Sequence, residues 1–183
     1  GDTPPAEVVD LIYSLGNLHR YAGSLPAALS YFHQCAQEAR ERGQNPWVPR
    51  AMRAAGEVCL RQERLDDAID AFRQAVDLSL EAQDLPSVLI TEARLARALS
   101  DSGRREEATQ LAGKILNRLA EHSSLSRTMR YPIAAQALLT LGVIRFRMGQ
   151  YRAARRFLQR AIKLLAFTRA QLPRAESLRL LGI

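Results

Sequence analysis

Two short words recur along this 183-residue chain at a fixed distance. Leu15-Gly16 is answered by Ala55-Gly56, Leu95-Ala96, Leu141-Gly142 and Leu181-Gly182, in steps of 40, 40, 46 and 40 residues. A second word trails each complete copy: Ala28-x3-Phe32-x2-Cys35, Ala68-x3-Phe72-x2-Ala75, Ala108-x3-Ala112-x2-Ile115 and Ala154-x3-Leu158-x2-Ala161. Self-similarity at a period of roughly 20–50 residues means stacked supersecondary units, each burying its apolar face against the next. The chain is therefore expected to fold as an array.

Each period holds two amphipathic helical stretches separated by a short break. Val8, Val9, Ile12, Leu15 and Leu18 repeat at helical spacing up to Ala22, where Gly23 closes the helix. A second stretch runs from Ala27 to Arg42, ended by Gly43. Asn45-Pro46 is expected to start the next unit by capping, with helices over about 47–61 and 65–83. Asp84 caps a third pair at about 86–102 and 105–121, hinged at Gly103. The polar insert His122–Ser126 accounts for the longer step. A fourth pair spans about 131–148 and 151–171, hinged at Gly149, and Pro173 opens a fifth first-helix. No strand pattern interrupts this order. Apolar residues make up 47% of the chain and aromatics only 6%, a balance that favours close-packed helices over a β-sandwich.

At Leu15, Gly16, Ala28 and Phe32, at Gly56, Ala68, Phe72 and Ala75, at Leu95 and Ala108, and at Leu141, Gly142, Tyr151, Ala154 and Ala161, the chain resembles the tetratricopeptide repeat (TPR) family. Cys35, Ala96, Ala112 and Leu158 depart from the pattern. The repeats run about 40 residues instead of about 34, similar to those of Pins-type scaffolds, kinesin light chains and helical sensor domains of bacterial regulators. The resemblance implies an all-α fold: a right-handed α-solenoid of antiparallel helix pairs. It forms one array over 1–183, with repeats at about 4–43, 44–83, 84–123 and 130–171 and a partial fifth at 173–183.

In this family the first helices line a concave groove. Counted from the Leu-Gly words, the groove-facing positions are Asp10, Tyr13, Ser14, Asn17, Arg20 and Tyr21 in the first unit. The second offers Arg50, Arg53, Ala54, Glu57, Leu60 and Arg61, and the third Ile90, Ala93, Arg94, Arg97, Ser100 and Asp101. The fourth offers Gln136, Leu139, Thr140, Val143, Phe146 and Arg147. The resemblance places Asn17 where peptide-binding members carry an Asn that bonds a ligand's backbone. Arg50, Arg53, Arg94 and Arg97 are candidates for holding acidic side chains, because guanidinium presents a fork of donors that matches a carboxylate, and Arg20, Arg61 and Arg147 are further partner-binding candidates. Leu139, Val143 and Phe146 are candidates for receiving an apolar anchor at one end of the groove, and Tyr21 is a partner-binding candidate at the other, beside Asn17. The plain alternative is a solvated helix face in which these arginines pair with Glu57, Glu63 and Asp101. A chaperone-tail carboxylate clamp is not expected, since only Asn17 and Arg94 fall on comparable positions and Glu57 would repel a terminal carboxylate.

The net charge is +7, carried by 24 Arg against 2 Lys, which favours an acidic partner. A second basic stripe, Arg152, Arg155, Arg156, Arg160 and Lys163, shares one face of the last outer helix. It carries no interleaved aromatic for base stacking, and Phe157 falls on the core side. His19, His33 and His122 lack mutual metal spacing, and Cys35 and Cys59 form no ligand motif. Glu106-Glu107 and Asp66-Asp67 open second helices, where they favour the helix dipole. The expectation is a non-enzymatic module with no cofactor or metal, binding an acidic protein segment in an intracellular, cytoplasmic setting. Two alternatives stay open: a peptide- or ligand-sensing regulatory domain of a larger protein, and a nucleic-acid-binding solenoid. No run is long and apolar enough for a membrane span. The words continue at Leu181-Gly182, so the chain is expected to be an excerpt of a longer array, able to self-associate through its fifth unit.

Overall fold

The computed structural model describes residues 5–122 and 124–167. Among them are eight α-helices and no strand: α1 (Pro5–Tyr21), α2 (Leu25–Glu41), α3 (Trp47–Arg61), α4 (Leu65–Glu81), α5 (Leu85–Asp101), α6 (Arg105–Glu121), α7 (Arg127–Arg147) and α8 (Tyr151–Ala166). The chain divides into two compact units, Gly1–Thr91 and Glu92–Ile183. The expected fifth helix and the last residues of the expected 151–171 helix lie outside the described residues.

The breaks between helices share one construction. At the end of six helices a backbone N–H reaches back five residues: Ser24 to His19, Gln44 to Ala39, Arg64 to Cys59, Asp84 to Ser79, Arg104 to Leu99 and Gln150 to Arg145, all at 2.7–3.0 Å. This is the Schellman closure, which needs a left-handed residue just before the donor. Gly23, Gly43, Gly103 and Gly149 supply it with φ of 67–84°. Glu63 (φ 60°) and Gln83 (φ 53°) do the same work with a side chain attached, at a cost of about 1 kcal/mol each.

Helix starts follow the sequence less closely. Asp84 caps α5 as expected, its Oδ1 accepting from the Ser87 N–H at 3.1 Å. Asn45 makes no side-chain cap. The carbonyls of Gln44 and Asn45 instead accept from the N–H groups of Trp47 and Val48. The helix expected at 131 begins at Arg127 and runs through Pro132. That proline sits in the second turn, where it removes one hydrogen bond without ending the helix.

In the first unit one core cluster joins Val9 and Ile12 of α1, Cys35, Ala36 and Ala39 of α2, Val48, Ala51 and Met52 of α3, and Ala75 of α4. A second sets Ala28 and Phe32 of α2 against Ala54, Ala55 and Val58 of α3. In the second unit Ala135 and Leu138 of α7 close on Ala161 and Leu165 of α8. Burying a side chain the size of Phe32 contributes about 3 kcal/mol.

The glycines of the first word have a specific partner. A Cβ on Gly16 would meet Phe32 Cε1 at 2.6 Å, one on Gly56 would meet Phe72 Cε1 at 2.7 Å, and one on Gly142 would meet Leu158 Cδ2 at 2.7 Å. The small residue thus admits the large one of the second word from the same pair. Leu15 departs from its siblings. It is 41% exposed, whereas Leu95 is 7% exposed. Ala55, at the same position, is covered by α2 of the preceding pair, and among the described residues no helix precedes α1. Within these residues no helix is long and apolar enough to cross a membrane.

Candidate functional site

In the first unit α1 and α3 lie side by side, and the residues one turn from their C-termini form a polar cluster. Arg20 Nη1 donates to Glu57 Oε2 at 2.7 Å, and Nη2 donates to Asn17 Oδ1 at 2.9 Å and to the Tyr21 hydroxyl at 3.3 Å. The same guanidinium lies 4.9 Å from the centre of the Tyr21 ring. Arg61 Nη1 donates to the carbonyl of Arg20 at 3.1 Å. Four residues expected to face a partner, Asn17, Arg20, Tyr21 and Arg61, are therefore brought together. Of these, Arg20 is already paired with Glu57. Tyr21 remains 75% exposed.

Arg50 stands apart from that cluster. Its guanidinium lies 4.5 Å from the centre of the Trp47 ring and 5.2 Å from that of Tyr13, and the two rings meet edge-on at 5.5 Å. Stacking of this kind orients a cation without neutralising it. Trp47 was absent from the expected site, because it precedes the groove-facing positions counted from the word. Arg53 and Arg94 are half-buried on α3 and α5.

In the second unit α5 and α7 enclose a pocket of about 40 Å³ lined by Arg97, Ser100, Asp101, Gln136, Leu139, Thr140, Val143 and Arg147. All eight occupy positions that counting from the Leu-Gly words assigned to the groove. Arg147 Nη1 donates to the Ser100 carbonyl at 3.0 Å, and its Nη2 lies 3.4 Å from Asp101 Oδ1. Arg97 Nε approaches the other carboxylate oxygen, Oδ2, at 3.6 Å. Thr140 Oγ1 donates to the Gln136 carbonyl at 3.0 Å. The Ser100 hydroxyl is buried and has no hydrogen-bond partner.

Two expectations for this end are corrected. Leu139 is 2% exposed, so it forms part of the pocket wall and offers no surface for an apolar anchor. Neighbouring helices close over it because α5 and α7 are adjacent. Phe146 is exposed but does not line the pocket. It packs edge-on against Tyr151 at 5.6 Å. Val143 stays half-buried at the pocket.

His19 stacks on Tyr31 at 5.1 Å. Among the described residues no group of three His, Cys, Asp or Glu side chains is placed to hold a metal ion.

Models of the tetratricopeptide repeat match residues 8–81 and 135–164, together more than half of the chain. A curated relative, tetratricopeptide repeat protein 29 of Trypanosoma brucei brucei, is 27% identical over 145 residues. That stretch is 78% of this chain and 28% of the relative, so the chain spans little more than a quarter of the relative's length. Among solved structures, the apo form of RapI superposes with a TM-score of 0.76 at 12% identity, covering 97% of this chain and 47% of that one. A putative kinesin light chain from Podosopora anserina with nearly identical TPR-like repeats superposes with a TM-score of 0.63 at 16% identity, covering 88% and 77%. At these identities the likeness concerns the fold.

Proposed function

We propose, starting from the fact that this chain belongs to the tetratricopeptide repeat family, that it is a non-catalytic module holding a segment of another protein against its first helices, and that this segment carries acidic residues. Repeats of this family mediate protein–protein interaction. The acidic segment, the residues that hold it, the absence of catalysis and the reading of 1–183 as one array belong to the proposal.

The observation that carries it is the pocket between α5 and α7. Two guanidinium groups, Arg97 and Arg147, share the single carboxylate of Asp101 at 3.6 and 3.4 Å. Both contacts are longer than the ~2.7–2.9 Å of a committed charge-assisted bond. Each fork keeps donors for a second carboxylate, and the buried Ser100 hydroxyl lies at the same pocket without a partner. A volume of about 40 Å³ suits a few water molecules or one short side chain and is small for a drug-sized ligand. A peptide side chain is therefore favoured over a metabolite. In the first unit, Asn17, Tyr21, Arg50, Arg53 and Arg61 make up the remainder of the proposed face. A cytoplasmic setting draws support from Cys35 and Cys59, both unpaired and buried.

Selection of random peptides displayed on phage tests the reading. Enriched peptides are expected to carry Asp or Glu beside an apolar residue. Arg97→Glu with Arg147→Glu is expected to weaken them at least tenfold while leaving helical circular dichroism unchanged. Enrichment without acidic residues, or undiminished binding by the double variant, would overturn it.

A further inference from the structure

Helix α8 is built as two opposed faces. Ala154, Leu158, Ala161 and Leu165 are no more than 2% exposed, and Ala161 and Leu165 pack against α7. On the other side Arg152, Arg155, Arg156, Gln159, Arg160 and Lys163 share one face at i, i+3, i+4 and i+8 spacing, and all six are exposed. The helix contains no Asp or Glu. Among the described residues none of these five cations makes an ion pair. Arg20, Arg42, Arg64, Arg97, Arg118 and Arg147 elsewhere in the chain each meet a carboxylate. Arg152/Arg156 and Arg156/Arg160 are like-charge pairs one turn apart, which destabilise a helix by about 0.2–0.5 kcal/mol each.

We propose that this face binds double-stranded nucleic acid through its phosphates. Arginine forks bond phosphate oxygens bidentately. Residues four apart on a helix step about 6 Å along its axis, close to the rise of two phosphates of one strand, ~3.4 Å each, along the duplex axis. No aromatic stands within the stripe to stack an unpaired base, so the recognition is of a duplex backbone and independent of sequence. A bilayer is the poorer partner. The apolar face of α8 is consumed in the core, leaving only charge to hold a membrane, whereas an interfacial helix inserts its apolar side.

Fluorescence anisotropy of a labelled random-sequence duplex, as DNA and as RNA, tests this with the whole chain. Binding is expected at 50 mM salt, with log affinity falling against log salt at a slope of about −4.5 for the DNA duplex, since five cations each release close to one counterion. Arg152→Gln, Arg155→Gln, Arg156→Gln and Arg160→Gln together are expected to bring the slope to about −1. All four are surface substitutions, and circular dichroism checks the fold. A charge-matched control, Arg40→Gln, Arg42→Gln, Arg64→Gln and Arg105→Gln, is expected to keep most of the affinity. So is Arg97→Glu with Arg147→Glu, which separates this face from the pocket between α5 and α7. Absence of binding at 50 mM salt overturns the proposal, as does equal loss in the charge-matched control. Binding of phosphatidylserine vesicles or poly-L-glutamate as tight as that of the duplex overturns the assignment to nucleic acid.

Discussion

A methyl group at Gly16 would sit 2.6 Å from the Phe32 ring, and this one distance accounts for the pairing of the two recurring words. The third pair carries the complementary solution. Ala96 stands at the glycine position and Ala112 at the aromatic one, and both are fully buried. A shorter side chain on the second helix leaves room for a Cβ on the first. The two departures from the repeat pattern thus compensate each other. Gly16→Ala alone is expected to cost about 1–3 kcal/mol by overpacking, and Phe32→Ala about 3–5 kcal/mol by cavity formation. The double variant should cost less than the sum by roughly 0.5–3 kcal/mol, because it reproduces the Ala96/Ala112 arrangement. Chemical denaturation of the four proteins in the cycle measures the coupling, and strict additivity would refute the account. The word positions were readable in the sequence, but which atom each glycine avoids was not.

At the scale of elements, α5 and α6 are tied by an ion pair. Arg118 Nη1 donates to both carboxylate oxygens of Glu92, at 2.8 and 3.0 Å. Glu92 is nonetheless held above its ordinary pKa of 4.5, because burial outweighs the opposing pull of Arg118 and Lys114. The folded chain therefore binds this proton more tightly than the unfolded one. Stability contributed here is present below the ordinary value and declines as pH rises through the raised one. Urea denaturation between about pH 4 and pH 7 is expected to show that decline, and Glu92→Gln is expected to remove it. A variant that keeps the full decline would assign it to other groups. The pair was invisible to pattern reading, since Glu92 and Arg118 lie 26 positions apart and neither belongs to a word. Their meeting depends on the helix–helix register.

For the whole molecule, the two cysteines report on unfolding. Cys35 is fully buried, its thiol directed at the Val9 carbonyl at 3.6 Å, and burial pushes its pKa up to about 11. Burial raises Cys59 as well. Only the thiolate reacts. Both thiols are therefore expected to resist a disulfide reagent near pH 8 in the native protein, and to react together once denaturant unfolds the first unit. Prompt labelling of either thiol in native conditions would show that this core opens locally. Cys35 stands at the last position of the second word, and the structure buries both cysteines.

Periodicity was enough to specify the eight described helices and their order, because repeated local signals add up over four copies and a helix fixes which side chains share a face; that eight of those side chains line the groove of the second unit was implied by the family resemblance. The described fold follows from that period, and the family from the residues at the word positions. Exposure and pairing were decided by tertiary structure. Counting cannot show that Leu139 is closed over by neighbouring helices, that Glu57 already neutralises Arg20, or that the arginines of α8 meet no carboxylate among the described residues. Each of those outcomes depends on a side chain brought in from another helix. A one-dimensional pattern carries the direction of a side chain and leaves out what stands opposite it.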